Sequence, residues 1–165
     1  MILPTSSTGQ SYPDVQGYRI VEYIGGGGFS RCVLPFGCAS VLTILRVFRA
    51  INAKVPAHRV AAIKVVSYAK PSSESSRLQH PPDRQALRKE VQIHQVLKHK
   101  NVLEFLGVEE YLRDASSNYV PGLYMVLELG GGGDLFDKIA PDVGVEEDLA
   151  HLYFMQLVGA LVSTS

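Results

Sequence analysis

Hydrophobic and polar positions along the chain fall first into short β-branched runs and then into helical spacing. Tyr18-Arg19-Ile20-Val21-Glu22-Tyr23-Ile24 mixes β-branched and aromatic side chains with charges and stops at glycines, the pattern of a strand entering a loop. Val60–Val66 predicts another strand. Val102–Val108 and Leu123–Leu129 predict two more, separated by a polar loop through Arg113-Asp114-Ala115-Ser116-Ser117-Asn118. The Ser- and Pro-rich stretch from Lys70 to Pro82 predicts a mobile connection, and Asp83 a cap for a helix over Arg84–Lys98. In that helix Ala86, Glu90, Ile93 and Leu97 follow at steps of four, three and four, and so share a face. Glu90 then falls within an apolar stripe, where an unpaired carboxylate is costly to desolvate and calls for a cation. A half-exposed Glu90 tilted towards solvent fits the helix equally well. Gly130–Gly133 breaks the pattern, and Asp134 opens a short helix to Ile139 with Asp137 as its capping partner. The acidic turn Glu146-Glu147-Asp148 opens a last helix that stacks Leu149, Tyr153, Leu157 and Leu161.

Composition narrows the class. The 165 residues, 46% of them hydrophobic, have room for one ordinary domain, or for a small domain and part of a second. Sixteen basic and sixteen acidic side chains cancel, so no global field favours nucleic acid or an anionic membrane. The two cysteines, Cys32 and Cys38, have neither metal-ligand spacing nor the look of an oxidised framework, and a reducing compartment is expected. Residues 1–17 are rich in Ser, Thr, Pro and Gly, with no basic start or apolar run; they read as a flexible arm and not as a signal peptide. The longest apolar stretch, Val41–Val47, is interrupted by Thr43 and Arg46 and falls far short of the roughly 20 residues a bilayer requires.

The chemistry starts at Gly25-Gly26-Gly27-Gly28-Phe29-Ser30. Without Cβ atoms, such a segment can turn its N–H groups towards phosphate oxygens. A Walker loop requires Gly-Lys-Ser/Thr directly afterwards, whereas Phe29-Ser30-Arg31 stands here. A dinucleotide fingerprint requires a helix opening at the glycines, but the downstream residues are apolar and β-branched. A glycine loop in a hairpin, with a lysine on the next strand (Ala62-Ile63-Lys64) and a glutamate on the next helix (Glu90), is the remaining arrangement.

In these blocks the chain resembles the protein kinase family, and within it the DNA-damage checkpoint branch of serine/threonine kinases. Ile24–Ser30 is similar to the glycine-rich loop, with Ser30 in place of the third glycine. Ala62-Ile63-Lys64 is similar to the family's lysine block, and Arg88-Lys89-Glu90-Val91 to its glutamate-bearing helix. Lys98–Val102 resembles the turn before the fourth strand, Tyr124–Glu128 the approach to the hinge, and Gly132–Gly144 the stretch most like the checkpoint branch. The resemblance implies an α+β fold: a kinase small lobe with an antiparallel five-stranded sheet and one helix over 18–129, followed by the hinge and first helices of the large lobe over 130–165. It further implies that Lys64 holds the α- and β-phosphates of ATP and that Glu90 fixes its ammonium. Gly25, Gly27 and Phe29 would belong to the phosphate loop, and Ile24, Val47 and Ala62 would pack on adenine. Leu127 would set the depth of the pocket. The carbonyl of Glu128 and the N–H of Gly130 would bond the adenine edge, with Asp134 near the ribose, or Asp134 serving simply as a helix cap.

Two departures qualify the resemblance. Residues 32–46 match nothing in the family; deleting them joins Arg31 to Val47 and restores the expected valine after the loop. They read as an atypical insert, either translated intron or a gene-model error, with an apolar loop bound by a partner as the alternative. The chain also contains no His-Arg-Asp and no Asp-Phe-Gly, the runs that supply the base and the Mg²⁺ ligands, so no catalytic or metal-binding residue is expected in it. The expected protein is the ATP-binding N-terminal portion of a serine/threonine kinase, inactive alone and monomeric or prone to aggregate. The alternative is a non-catalytic interaction module of the same lobe fold. Protein substrates or regulators, Mg²⁺, and a nuclear and cytoplasmic location would belong to the full-length family.

Overall fold

The computed structural model describes residues 9–26, 45–68, 83–113, 117–133, 135, 138–139 and 144–162. In chain order the elements are β1 (Arg19–Gly25), β2 (Leu45–Ile51), β3 (Val60–Ser67), α1 (Arg84–Val96), β4 (Phe105–Tyr111), β5 (Gly122–Glu128) and α2 (Glu147–Val162). The strands make one antiparallel sheet in the order β1-β2-β3-β5-β4. This is the expected α+β arrangement.

Side chains alternate across the sheet, so it presents two faces to be covered. On one, Val66, Leu123 and Met125 are buried against Val91 of α1, with Leu87, Phe105 and Leu127 packed around them. On the other, Phe48, Ile63, Val65, Tyr124 and Val126 are buried together with Val15, Tyr18 and Ile20. The segment before β1 is therefore part of the core. Residues 9–17 of the expected flexible arm are docked: Ser11 pairs in parallel with Tyr119, and Val15 is 0% exposed. The chain then reverses at Gln16-Gly17. Both residues have positive φ, 49° and 81°, and Val15 and Tyr18 exchange two backbone hydrogen bonds of 3.0 and 2.8 Å around them. A two-residue turn with positive φ at both positions matches the right-handed twist of paired strands, and Gly17 is its sequence signal.

Leu45 and Arg46, the last two residues of the expected insert 32–46, pair with Val66 and Val65 and form the start of β2. Residues 32–44 lie outside the described ones, as do both cysteines. Strand β4 starts three residues later than its apolar run suggests. Val102 is held in a turn by its N–H bond to the His99 carbonyl, 3.0 Å, and the Glu104 carbonyl accepts from the Glu128 N–H at 2.8 Å.

Asp83 caps α1 as expected, accepting from the backbone N–H of Gln85 at 2.8 Å and of Ala86 at 3.3 Å. The buried face of the helix, however, is centred on Leu87, Val91 and His94, whereas Ala86 is exposed and Ile93 is 59% exposed. The stripe through Ala86, Glu90, Ile93 and Leu97 lies at the flank of that face. Asp83 opens the helix and Leu97, in extended backbone, closes it two residues early. In α2 the side chains of Leu149, Leu157 and Leu161 are exposed, and only the neighbourhood of Ala160 is buried. The helix leans on the 99–101 turn through the Asn101 Nδ2 bond to the Gln156 carbonyl, 3.0 Å. Among the described residues no helix is long and apolar enough to cross a membrane.

Two expectations separate these covers. Val15→Asp leaves an uncompensated buried charge and should cost about 3–5 kcal/mol. Ile93→Asp, at an exposed position of α1, should stay within about 0.5 kcal/mol; urea unfolding of both variants measures the contrast. On the α1 side, Tyr68 donates to Glu110 Oε1 at 2.9 Å, and burial first, then that bond and the Glu110 charge, push its phenol up to about 12. The folded state thus holds this proton more tightly than the unfolded chain, whose phenol titrates near 10. Its stabilising contribution is complete below pH 10 and is lost as pH rises to about 12. Tyr68→Phe should flatten that part of the stability curve.

Candidate functional site

The register of the sheet builds one line of residues across four strands. Gly25 faces Val47, Val47 faces Lys64, and Lys64 faces Met125. Directly opposed residues of antiparallel strands project to the same face, and so do residues two apart on a strand. Ala62, set between Arg49 and Leu127, therefore shares the α1 face with Val47 and Lys64. Ala62 is buried, while Val47 and Leu127 are half-buried. The result is a small apolar floor beside one ammonium.

Helix α1 brings the acid to that ammonium. Its anchor, Val91, packs on Val66, Leu123 and Met125, and this seats the preceding residue at the margin of the helix facing β3. Glu90 Oε1 stands 2.5 Å from Lys64 Nζ, with the two side chains 44% and 25% exposed. The acid is thus the half-exposed glutamate of the two readings, and it is paired. The nearby guanidinium groups of Arg84 and Arg88 turn the other way, each 3.9 Å from Glu110, and leave Glu90 to the lysine.

The remaining expected residues surround this pair unevenly. Ile24 is exposed near the end of β1, and a Cβ added to Gly25 would meet nothing within 4 Å. Glu128 ends β5, where its carboxylate accepts from the Glu104 N–H at 3.1 Å, and Gly130 follows with Leu103 as its neighbour. Gly27, Phe29 and Asp134 lie outside the described residues. Two residues of the site escaped sequence reasoning. Met125, buried and directly opposite Lys64 on β5, belongs to the line only through strand register, which the runs alone do not specify. Gly26 carries a close approach: a Cβ there would sit 2.5 Å from Tyr23 Oη and 2.8 Å from the Leu45 carbonyl oxygen. Its signal was its place in the glycine run.

A lysine in mid-sheet held by a helix glutamate, beside a strand that runs into glycines, is accompanied by a match of residues 44–163 to the protein kinase domain. The chain belongs to the protein kinase family. It is 48% identical over 200 aligned residues to the serine/threonine-protein kinase CHK1 of Mycosarcoma maydis, which covers 98% of this chain and 27% of that protein. The CHK1 of Saccharomyces cerevisiae is 47% identical over 64 residues, covering 39% of this chain and 11% of that protein. The chk-1 of Caenorhabditis elegans is 30% identical over 144 residues, 87% of this chain and 23% of that protein. The resemblance to the checkpoint branch of serine/threonine kinases is thereby borne out, as is the small-lobe fold. The chain spans about a quarter of the length of the relatives it matches most fully.

A solvent-reached pair such as Lys64–Glu90 contributes little to folding; measured exposed pairs are worth about 0.2–1 kcal/mol. A double-mutant cycle on Lys64→Met and Glu90→Gln should give a coupling in unfolding free energy below about 1 kcal/mol, smaller in high salt. A much larger coupling would make the pair a folding element.

Proposed function

We propose that these residues hold ATP for a protein serine/threonine kinase. The observation that carries the reading is the Lys64 ammonium, held by Glu90 at 2.5 Å on the same sheet face as Val47, Ala62 and Leu127. The group fits the chemistry present. A flat purine needs apolar walls with a small residue at closest approach, which Val47, Leu127, Ile24 and Ala62 provide. A triphosphate needs a fixed cation and backbone N–H groups, which Lys64 and the glycine run supply. Glu90 sets the direction of the Lys64 ammonium. The Glu128 carbonyl and the Gly130 N–H would meet the adenine edge at the end of β5, and Asp134 the ribose.

Bound MgATP supplies the γ-phosphoryl group that kinases of this type pass to a protein Ser or Thr hydroxyl. The residues of this chain bind and orient; they include no His-Arg-Asp and no Asp-Phe-Gly. A polypeptide of these 165 residues should therefore bind nucleotide weakly and leave protein substrates unphosphorylated. Protein substrates and regulators are proposed for the whole protein on the strength of the family.

The alternative reading is a non-catalytic interaction module of the same lobe fold; the exposed Leu152, Phe154, Met155 and Leu157 of α2 do not favour it, since the chain spans about a quarter of its relatives' length. Titration with a fluorescent ATP analogue and Mg²⁺ separates the two. Nucleotide holding should give saturable binding that Lys64→Ala weakens by about 10- to 100-fold, the worth of a charge-assisted contact to phosphate. Glu90→Gln should weaken it less, because the ammonium remains. Binding that ignores Lys64→Ala sinks the nucleotide reading and leaves the interaction module.

A further inference from the structure

The segment before β1 does more than cover the sheet: its aromatic contacts run to the base of the glycine loop. Tyr12 packs on Phe48 with ring centroids 4.6 Å apart, and its hydroxyl accepts from Arg46 Nη1 at 2.5 Å. Phe48, directly opposite Tyr23 in the β1–β2 register, also meets that ring edge-on at 5.7 Å. The hydroxyl end of Tyr23 in turn lies against Gly26, so close that no Cβ would fit between them. Tyr12, Phe48, Tyr23 and Gly26 are thus in consecutive contact, and Arg46 ties the first of them to the start of β2.

Each link limits what the next can do. Phe48 is 2% exposed and cannot move out of the core, so Tyr12 and Tyr23 are braced against one fixed ring from two sides. Tyr23, although 54% exposed, has its hydroxyl over Gly26. The β1–β2 register slips between Tyr23 and Gly25, so backbone pairing is irregular where this contact is made. An irregular ladder resists opening less than a regular one, and a side-chain brace then has more to contribute.

We propose that Tyr12 and Tyr23 are positioning residues for the start of the glycine run: the docked N-terminal segment fixes, through Phe48, where Gly25 and Gly26 stand at the end of β1. The inference rests on the nucleotide reading for its consequence, but the mechanical link stands on contacts that need no nucleotide. The brace holds the end of β1 against β2 at Gly25 and Val47, the same line that carries Lys64. Loosening it lets Gly25 and Gly26 depart from that line and weakens nucleotide binding without touching Lys64 or Glu90.

Amide hydrogen exchange on the 165-residue chain tests the link, with Tyr12→Leu, Tyr23→Leu and the double variant. Aromatic pairs of this kind are each worth a modest bias, so exchange in peptides over Arg19–Gly26 and Leu45–Val47 should accelerate about three- to tenfold in either single variant. Peptides over β3 and β5 should keep their wild-type rates. The double variant should exchange little faster than the singles, because each breaks the same chain of contacts. Affinity for the fluorescent ATP analogue should fall about threefold in both single variants. Tyr12→Phe, which keeps the ring and removes only the bond from Arg46, serves where Tyr12→Leu folds poorly and should give a smaller acceleration confined to the same peptides. Acceleration spread evenly over all five strands, or wild-type exchange of β1 in Tyr12→Leu, overturns the proposal. Should the unaltered chain bind no ATP, the nucleotide reading fails while the exchange pattern still decides the brace. If ATP binds normally and β1 exchange is unmoved, the brace alone fails.

Discussion

A single sheet whose middle strand must be covered on both faces governs this structure. Every residue of β3 from Ala61 to Ser67 is buried except Lys64, so both sides of the strand need a partner. Helix α1 supplies one side through Val91, and the segment ending in the Gln16-Gly17 turn supplies the other through Val15. Lys64 is the one polar interruption in this buried run. It can exist there because α1 reaches only part of its face and brings a carboxylate to the edge of the gap. Function and fold therefore meet at the limit of one helix's coverage.

The division of labour across the sheet follows. The α1 face has a packed part around Met125 and Val66, on which Leu127 also rests, and a less covered part around Val47, with the Lys64–Glu90 pair beside it. Apolar burial sets the position of the pair, and the pair contributes little to burial. A charge kept near solvent avoids the desolvation penalty of the interior and remains available to an anion. The opposite face is tightly closed, with Tyr124 fully buried, its hydroxyl bonded to the Val120 carbonyl at 2.6 Å, and its ionisation pushed strongly upwards by burial. It acts as the rigid backing on which the open face depends.

Much of this was legible in the residues. The β-branched runs placed β1, β3, β4 and β5 within a few positions but did not reveal β2, Asp83 marked its helix, and the pairing of Lys64 with Glu90 was implied by the resemblance to the kinase family. What was not legible depended on tertiary contact. The apolar residues of α1 allow two stripes, and only the docking of Val91 selects the one through Leu87, leaving Ile93 outside. The polar, proline-containing beginning looked flexible because, after Met1-Ile2-Leu3, its apolar residues Tyr12 and Val15 are too sparse to form a periodic pattern. They matter because they land on an apolar sheet face made by residues far along the chain, such as Val126, 111 positions after Val15. The start of β2 was hidden for the same reason: Leu45 and Arg46 show their strand nature only through their partners Val66 and Val65.

The chain has eight tyrosines and no tryptophan, and the rings are not evenly distributed. Tyr111 stands between Tyr119 and Tyr124, at 6.0 and 5.2 Å, while Tyr12 and Tyr23 flank Phe48. Near-ultraviolet circular dichroism and intrinsic emission thus arise mainly from the backing face, opposite the side proposed to take nucleotide. Among the described rings of that face, Tyr23 reaches Gly26 and the others stay on the backing side, so a ligand that leaves those signals still has not been shown to stay unbound.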